Sequence, residues 1–145
     1  MFADVLHYVV GSSAIDVTKV GNAINSDLKL RRIYKQLLGQ NRVAFGPREA
    51  HAQGEEEIAL RNGEGFCIKL KVSKANAKQV YVILTVEQPE QFKSDKAIAL
   101  HVTSEQTQFR LDFPALVDGK SQSIVASDDE RLTALKNINT ELSLV

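Results

Sequence analysis

The apolar residues of this chain change their period once, and that change limits the folds that it can adopt. Up to about residue 46 apolar side chains recur every three or four positions, whereas from residue 54 onward they alternate with polar ones. The first period is typical of helices and the second of half-buried strands. We therefore predict an α+β fold, with an N-terminal helical subdomain at residues 1–46 and an antiparallel β-sandwich-like domain at residues 54–145.

Three short helices are predicted in the first part. Their apolar stripes are Phe2, Val5, Leu6, Val9 and Val10 in the first, Val17, Val20 and Ile24 in the second, and Leu30, Ile33, Tyr34, Leu37 and Leu38 in the third. Gly11 and Gly39 are placed to end the first and third helices, and Ser26 is placed to cap the third. Gly21 weakens the second helix by about 1 kcal/mol relative to alanine.

The rest of the chain reads as strands with one late helix. The alternation predicts strands at residues 55–61, 66–73, 79–87, 96–103, 107–113, 121–127 and 138–145. Ile58 and Leu60 should point inward on the first of these, and the polar residues 48–54 should form the boundary between the two subdomains. Gln79–Glu87 is apolar on both faces, so we expect a central strand that is covered on each side.

One helix is expected near the C-terminus. Ser127 followed by Glu130 has the spacing of a capping box, which marks a helix start. Leu132 and Leu135 should then face the core.

The glycine-rich segment Asn62–Gly65 is better interpreted as a hairpin turn than as a phosphate-binding loop. A phosphate loop needs a helix after its glycines, because the helix N-terminus supplies the amides that bind the anion. Here alternating segments lie on both sides, and the Lys-Ser/Thr pair of a Walker loop is missing. The neighbouring acids Glu55, Glu56 and Glu57 could bind a hard cation, although a charged edge strand explains them more simply.

Cys67 with His101 is the one combination of nucleophile and base worth testing. Both residues lie in the middle of predicted strands, on the faces that point away from the core, and no third orienting residue is evident. His7, His51 and His101 are too widely spaced for a zinc site. We therefore predict no catalytic residue, no metal site and no cofactor, with a Cys-His hydrolase or transferase as a further alternative.

The third helix carries a basic face made of Lys29, Arg31, Arg32 and Lys35. Three helices followed by a short strand, with such a face, is an arrangement typical of winged-helix nucleic-acid-binding modules. Residues 17–24 followed by residues 34–38 resemble in part the small winged-helix modules that bind RNA, over less than a quarter of the chain. The aromatic and glycine positions expected between those two pieces are missing, so we do not assign the chain to that family.

Composition narrows the class of protein. Lys and Arg together number 18, as do Asp and Glu, so no overall field directs the chain to nucleic acid or to a membrane. The first fifty residues carry seven basic and four acidic side chains, and the remainder has the opposite imbalance. A single cysteine favours a reducing compartment, the cytoplasm, and no apolar run approaches the roughly 18 residues of a membrane span.

These observations favour a non-enzymatic intracellular protein that binds another protein or associates with itself. Strand edges are expected to supply the pairing surface. Nucleic-acid binding (RNA or DNA) through the basic third helix is the alternative. No small-molecule substrate and no membrane contact are predicted.

Overall fold

The computed structural model describes residues 2–46, 49–51, 57–93, 95–137 and 139–145, and for residues 49–51 and 57–60 it describes the backbone alone. The elements in chain order are α1 (Phe2–Val9), α2 (Val17–Ser26), α3 (Leu28–Asn41), β1 (Ala44–Gly46), β2 (Glu49–His51), β3 (Glu57–Gly63), β4 (Phe66–Val72), β5 (Gln79–Val86), a 3-10 turn (Pro89–Gln91), β6 (Ile98–Thr103), β7 (Gln108–Phe113), β8 (Lys120–Ala126), α4 (Glu130–Lys136) and β9 (Glu141–Leu144). The predicted α+β class is confirmed, with three helices first and one helix near the C-terminus.

The strands form two antiparallel sheets. Sheet 1 has the order β1-β9-β6-β7, and sheet 2 has the order β2-β3-β4-β5-β8. Their inner faces share one apolar core, which α4 completes by inserting Leu132 and Leu135. The members of this core that come from the strands are Phe66, Ile68, Leu70, Val80, Val82, Leu84, Val86, Ile98, Leu100, Val102, Leu111, Phe113, Val125, Leu142 and Leu144.

The three N-terminal helices pack on the outer face of sheet 1 and build a second apolar cluster there. Its buried members are Val5, Tyr8, Val9, Val20, Ile24, Tyr34, Leu37, Leu38 and Val145. The helices therefore cover sheet 1 and not sheet 2. The strand that follows them, β1, pairs with β9, so Phe45 lies opposite Ser143.

Two predicted helix starts are shifted in the structure. Asp27, rather than Ser26, caps α3, because its carboxylate accepts hydrogen bonds from the N–H groups of Lys29 and Leu30. Asp129, rather than Ser127, caps α4 and accepts from the Arg131 N–H at 2.8 Å. A carboxylate at the N-cap both satisfies an amide and complements the helix dipole, so aspartate competes well with serine at these positions.

The predicted end of α3 at Gly39 is wrong. The helix continues to Asn41, and a side chain at Gly39 would meet nothing within 4 Å. Glycine inside a helix lowers helix propensity without forcing a stop when the flanking residues pack. Leu37 and Leu38, which are buried in the second apolar cluster, supply that packing.

The hairpin prediction for Asn62–Gly65 is confirmed. Gly63 pairs with Phe66, and Gly65 in the turn has φ of +79°. A Cβ at Gly63 would lie within 2.2 Å of two atoms of the Phe66 ring, so that position also needs glycine for the close approach of the ring.

The prediction that β5 is covered on both faces is wrong. Val80, Val82, Leu84 and Val86 are buried in the shared core, but Tyr81 and Ile83 on the outer face are only half-buried and Thr85 is exposed. The helices that could have covered this strand lie on the other sheet. The outer face of sheet 2 is therefore open along β5.

Arg61 occupies an inward position on β3 that the alternation pattern did not indicate. It pairs with Ile68 and is 1% exposed. Its guanidinium donates to the carbonyl oxygens of Leu135, Asn137 and Thr140 and to the Thr140 hydroxyl, at 2.8–2.9 Å. Burial lowers the pKa of Arg61 from its ordinary value. The side chain thus connects β3 to the C-terminal end of α4, whose carbonyls favour a cation.

The orientation predicted for Ile58 and Leu60 lies outside the described side chains.

The predicted boundary at residues 48–54 is partly described. Glu49–His51 forms β2, which pairs with β3, whereas residues 48 and 52–54 lie outside the described ranges. Glu55 and Glu56 also lie outside those ranges.

Candidate functional site

The backbone of β8 offers an open hydrogen-bonding edge. Among the described strands, β8 is an outermost member of sheet 2 and has β5 as its one neighbour. Val86 N–H donates to the Gly119 carbonyl at 2.8 Å, and Ser127 N–H donates to the Lys78 carbonyl at 2.8 Å. Because hydrogen-bonding residues alternate in an antiparallel ladder, the odd-numbered residues of β8 bond to β5. The N–H and C=O groups of Gln122 and Ile124 therefore point away from the sheet, and no group in the described ranges pairs with them.

The equivalent edge of sheet 1 is closed by side chains. On β7, the Gln108 N–H donates to Asn25 Oδ1 at 2.9 Å, and Asn25 Nδ2 donates to the Gln108 carbonyl at 3.1 Å. Arg131 Nη1 donates to the next outward carbonyl, that of Arg110, at 3.3 Å. The Asn25 amide thus reproduces the pairing that a neighbouring strand would give. Natural proteins commonly cover their sheet edges, and an edge left uncovered is a place where another chain can pair.

The two remaining edges are short. β1 and β2 have three residues each, and the Phe45 carbonyl on β1 already accepts from the Glu64 N–H at 3.1 Å. β8, by contrast, has seven residues and reads KSQSIVA, with Lys120 as its one charge. Among the described edges, β8 is the long one that side chains leave open.

Apolar side chains lie beside this edge on the outer face of sheet 2. Ile124 is 52% exposed and lies opposite Tyr81, while Ile83 lies opposite Gln122. Lys69 and Lys71 on β4 are the next residues across the same face. The surface next to the open edge is thus an apolar strip with basic residues on its far side.

The predicted basic face of α3 is only partly exposed. Lys29, Arg32 and Lys35 are exposed, whereas Arg31 is half-buried and its Nη2 donates to the Asn25 carbonyl at 3.1 Å. The structure thus leaves three of the four predicted basic residues on an open helix surface.

The structure does not bring Cys67 and His101 together. Cys67 lies on the outer face of β4 in sheet 2, because the residues on either side of it, Phe66 and Ile68, face the shared core. His101 lies on the outer face of β6 in sheet 1, under the helices. The two side chains therefore point away from opposite sides of the sandwich. The expectation that His101 faces outward from the sheet is correct in direction, but the residue is fully buried because the helices cover it.

His101 belongs to a buried polar cluster that joins the helices to sheet 1. The Val9 carbonyl can only accept, so the Nε2–H of His101 donates to it at 2.9 Å. The neutral ring then accepts at Nδ1 from the Tyr34 hydroxyl, at 2.9 Å. Burial lowers the pKa of His101 to about 4. The hydrogen bond to Val9 opposes this shift, and the nearby Arg110 cation adds a smaller lowering effect. Burial also raises the pKa of Tyr34 well above its ordinary value.

Tyr8 completes the cluster and connects it to β7. Its hydroxyl donates to Gln108 Oε1 at 2.6 Å, and Gln108 Nε2 donates to the Gly21 carbonyl at 3.2 Å. Burial raises the pKa of Tyr8 to about 12. These contacts hold the helices on sheet 1.

A groove of about 670 Å³ lies above this cluster, between α2, β7 and the start of α4. Its two cations are already paired, since Arg110 Nε bonds Asp112 at 2.7 Å and Arg131 Nη2 bonds Asp129 at 2.7 Å. The Arg131 partner lowers the pKa of Asp129, in agreement with that geometry. Both arginines of the groove are therefore compensated by a carboxylate two residues along the chain.

Two features are absent from the described residues. They contain no cluster of three or more His, Cys, Asp or Glu side chains that could hold a metal ion. None of the helices in those ranges is both long and apolar enough to cross a membrane.

Comparison with protein-family models, curated proteins and solved structures gives no match to this chain.

Proposed function

We propose that this protein is a non-enzymatic protein-interaction or oligomerisation module that binds an extended chain segment along the edge of β8. The observation that carries the proposal is the outward direction of the N–H and C=O groups of Gln122 and Ile124. Strand addition of this kind takes its affinity from main-chain hydrogen bonds and its specificity from alternate side chains.

The expected affinity is modest. Two outward residues offer four hydrogen bonds, each with a net contribution of about 1 kcal/mol, and ordering the partner offsets part of that. Burial of an apolar partner side chain beside Ile124 and Tyr81 adds about 1–2 kcal/mol. Such a site suits reversible association.

The position of Cys67 supports the non-enzymatic part of the proposal, because the structure separates it from His101. We further propose that the protein acts in the cytoplasm, since a lone cysteine is usual in a reducing compartment.

The test compares variants of β8 in a capture experiment with the full chain as bait. Ile124→Pro removes one outward N–H and retains the ladder to β5, because Ser123 and Val125 make the ladder bonds. Ile124→Thr is the matched control, since threonine keeps the N–H and suits a strand. We expect partners identified by mass spectrometry to be lost with Ile124→Pro and still captured with Ile124→Thr, in smaller amount than by the wild type because threonine offers less apolar surface. Equal capture by both variants would contradict the proposal.

Nucleic-acid binding remains a second candidate because Lys29, Arg32 and Lys35 are exposed along one helix. Charge reversal at these three positions, with nuclease treatment of the lysate in parallel, separates it from the first. The β8 account predicts that partners survive both treatments. The helix account predicts that captured material absorbs at 260 nm, disappears on charge reversal and binds with an affinity that falls steeply with salt.

A further inference from the structure

We infer that the β8 edge takes a short extended segment of another protein, with an acidic residue beside Lys120 and a basic residue beside Asp128, rather than the edge of a second copy. This inference rests on the proposed function and names the class of partner. It follows from the shape of the edge and from the charges at its two ends.

Backbone turns close the edge at both ends. Beside Lys120, the chain forms a bridge in which Val117 N–H donates to the Lys120 carbonyl at 2.9 Å and Lys120 N–H donates to the Val117 carbonyl at 3.1 Å. Beside Ala126, its carbonyl accepts from the Asp129 N–H at 3.0 Å. The open part is the window from Gln122 to Ile124, which is roughly 7–10 Å long at the rise of a strand.

A recessed window selects a narrow partner. In a two-fold pairing of β8 with itself, Gln122 would face Ile124 of the second copy, and the ends of both strands would approach one another. Val117 and Asp129 already occupy the edge positions beside Lys120 and Ala126, so the same obstruction would come from both copies. A single extended segment can enter such a window and bend away at its ends, and a folded edge with its own flanking turns cannot.

The two ends of the window differ in charge. Lys120 is exposed at one end, and Asp128 and Glu130 are exposed at the other. β8 carries no charge between them. A segment with an acid at the first end and a base at the second would make an opposite-charge contact at each, which also fixes its direction.

The middle of the partner segment is defined by the outer face of sheet 2. Ile124 and its cross-strand neighbour Tyr81 present apolar surface there, and Ile83 lies beside Gln122. Alternate residues of the partner should be apolar or β-branched, because they would form cross-strand pairs with this strip.

Blocked synthetic peptides test the inference with the full chain. The first alternates threonine and valine, begins with lysine and ends with glutamate, which matches the charges in the antiparallel orientation. The second has threonine at both ends. Each is titrated into ¹⁵N-labelled protein, and the amide signals of Gln122 and Ile124 are followed by NMR.

We expect the charged peptide to shift these two amides, to bind about threefold more tightly than the neutral peptide, and to lose that advantage with Lys120→Glu. Lys19→Glu, on the exposed surface of α2, is the control and should change nothing. Ile124→Pro has no amide signal at position 124 and should abolish the shift at Gln122. Equal affinities for the two peptides, or no effect of Lys120→Glu, would overturn the charge assignment.

Sedimentation of the chain over a wide concentration range tests the choice of partner. A monomer throughout supports the inference, and a dimer that disappears with Ile124→Pro overturns it in favour of a second copy. If neither peptide binds while Ile124→Pro still removes captured partners, the inference fails and the proposed function stands. If Ile124→Pro changes neither peptide binding nor capture, both fail.

Discussion

The side chain of Asn25 closes the edge of β7 by exchanging two hydrogen bonds with the backbone of Gln108, at 2.9 and 3.1 Å. No comparable side chain in the described ranges covers Gln122 or Ile124 on β8. The contrast between the two edges is the basis for assigning association to sheet 2.

Asn25→Ala should destabilise the protein and open a second edge. Two hydrogen bonds are lost and the Gln108 amide is left without its partner, so we expect a loss of about 1–3 kcal/mol in the free energy of unfolding. Urea denaturation measures the loss. Asn22→Ala, on the exposed surface of the same helix, is the control and should change stability by less than about 0.5 kcal/mol. An Asn25→Ala protein as stable as the control would show that the two hydrogen bonds between Asn25 and Gln108 do not stabilise the fold.

Stability should fall as the pH is lowered from about 6.5 to about 4. His101 is neutral in the folded protein because burial lowers its pKa to about 4, whereas in the unfolded chain it takes up a proton near pH 6.5. Unfolding therefore binds a proton in that window, and the stability lost across it is about 3 kcal/mol.

Urea unfolding at a series of pH values measures this loss. His101→Gln should lower stability at pH 7, where the native contacts to Val9 and Tyr34 are lost, and should flatten the profile between pH 6.5 and 4. His7→Gln, at an exposed position, is the control for removing a histidine. A His101→Gln profile with the wild-type slope would contradict the account.

Arg61→Ala should be among the most destabilising substitutions in the chain. It removes all four donated hydrogen bonds and leaves the carbonyls of Leu135, Asn137 and Thr140 without that donor. We expect a loss on the order of 3 kcal/mol or more, and Arg61→Lys should recover little because an ammonium lacks the fork geometry. Arg32→Ala, an exposed arginine, should stay within about 0.5 kcal/mol. Denaturation of the three variants ranks them, and an Arg61→Ala protein as stable as Arg32→Ala would refute the prediction.

Two helical glycines should respond in opposite ways to alanine. A Cβ at Gly39 meets nothing within 4 Å, so Gly39→Ala should raise stability by about 0.5–1 kcal/mol through helix propensity alone. A Cβ at Gly21 would lie 3.2 Å from the Tyr8 hydroxyl oxygen, which is held by Gln108 at 2.6 Å. Gly21→Ala should therefore give no gain or a loss. Differential scanning calorimetry compares the two, and an equal rise in Tm for both would mean that Tyr8 is free to move.

The sequence was informative wherever the pattern depends on neighbours along the chain. Helical spacing located α1 to α3, and alternation located β4, β6, β7 and β8, because each strand turns one apolar face to the shared core. The turn at Gly65 followed from glycine chemistry in the same way. Where the sequence reasoning failed, the answer depended on distant residues: the burial of Arg61 is stabilised by carbonyls near residues 135–140, and β5 stays open because the helices pack on the other sheet.

The sequence predicted the type of candidate site, a strand edge, but not its location in the fold. Strand edges were expected to supply an association surface, but which edge is open depends on the pairing of β8 with β5 and on the position of Asn25. Neither is encoded locally, since the side chain that closes β7 lies more than eighty residues away along the chain. The sequence was enough to identify the basic residues Lys29, Arg31, Arg32 and Lys35. It did not predict that Arg31 is half-buried and donates a hydrogen bond to the Asn25 carbonyl.

The most direct measurement is amide hydrogen exchange along β8 in the dilute protein. An open edge predicts alternation: the N–H groups of Ser123 and Val125 exchange slowly because they bond to β5, while those of Gln122 and Ile124 exchange at rates close to those of an unstructured chain. Slow exchange at Gln122 and Ile124 would show that the edge is already paired or covered, and would contradict the assignment of association to β8.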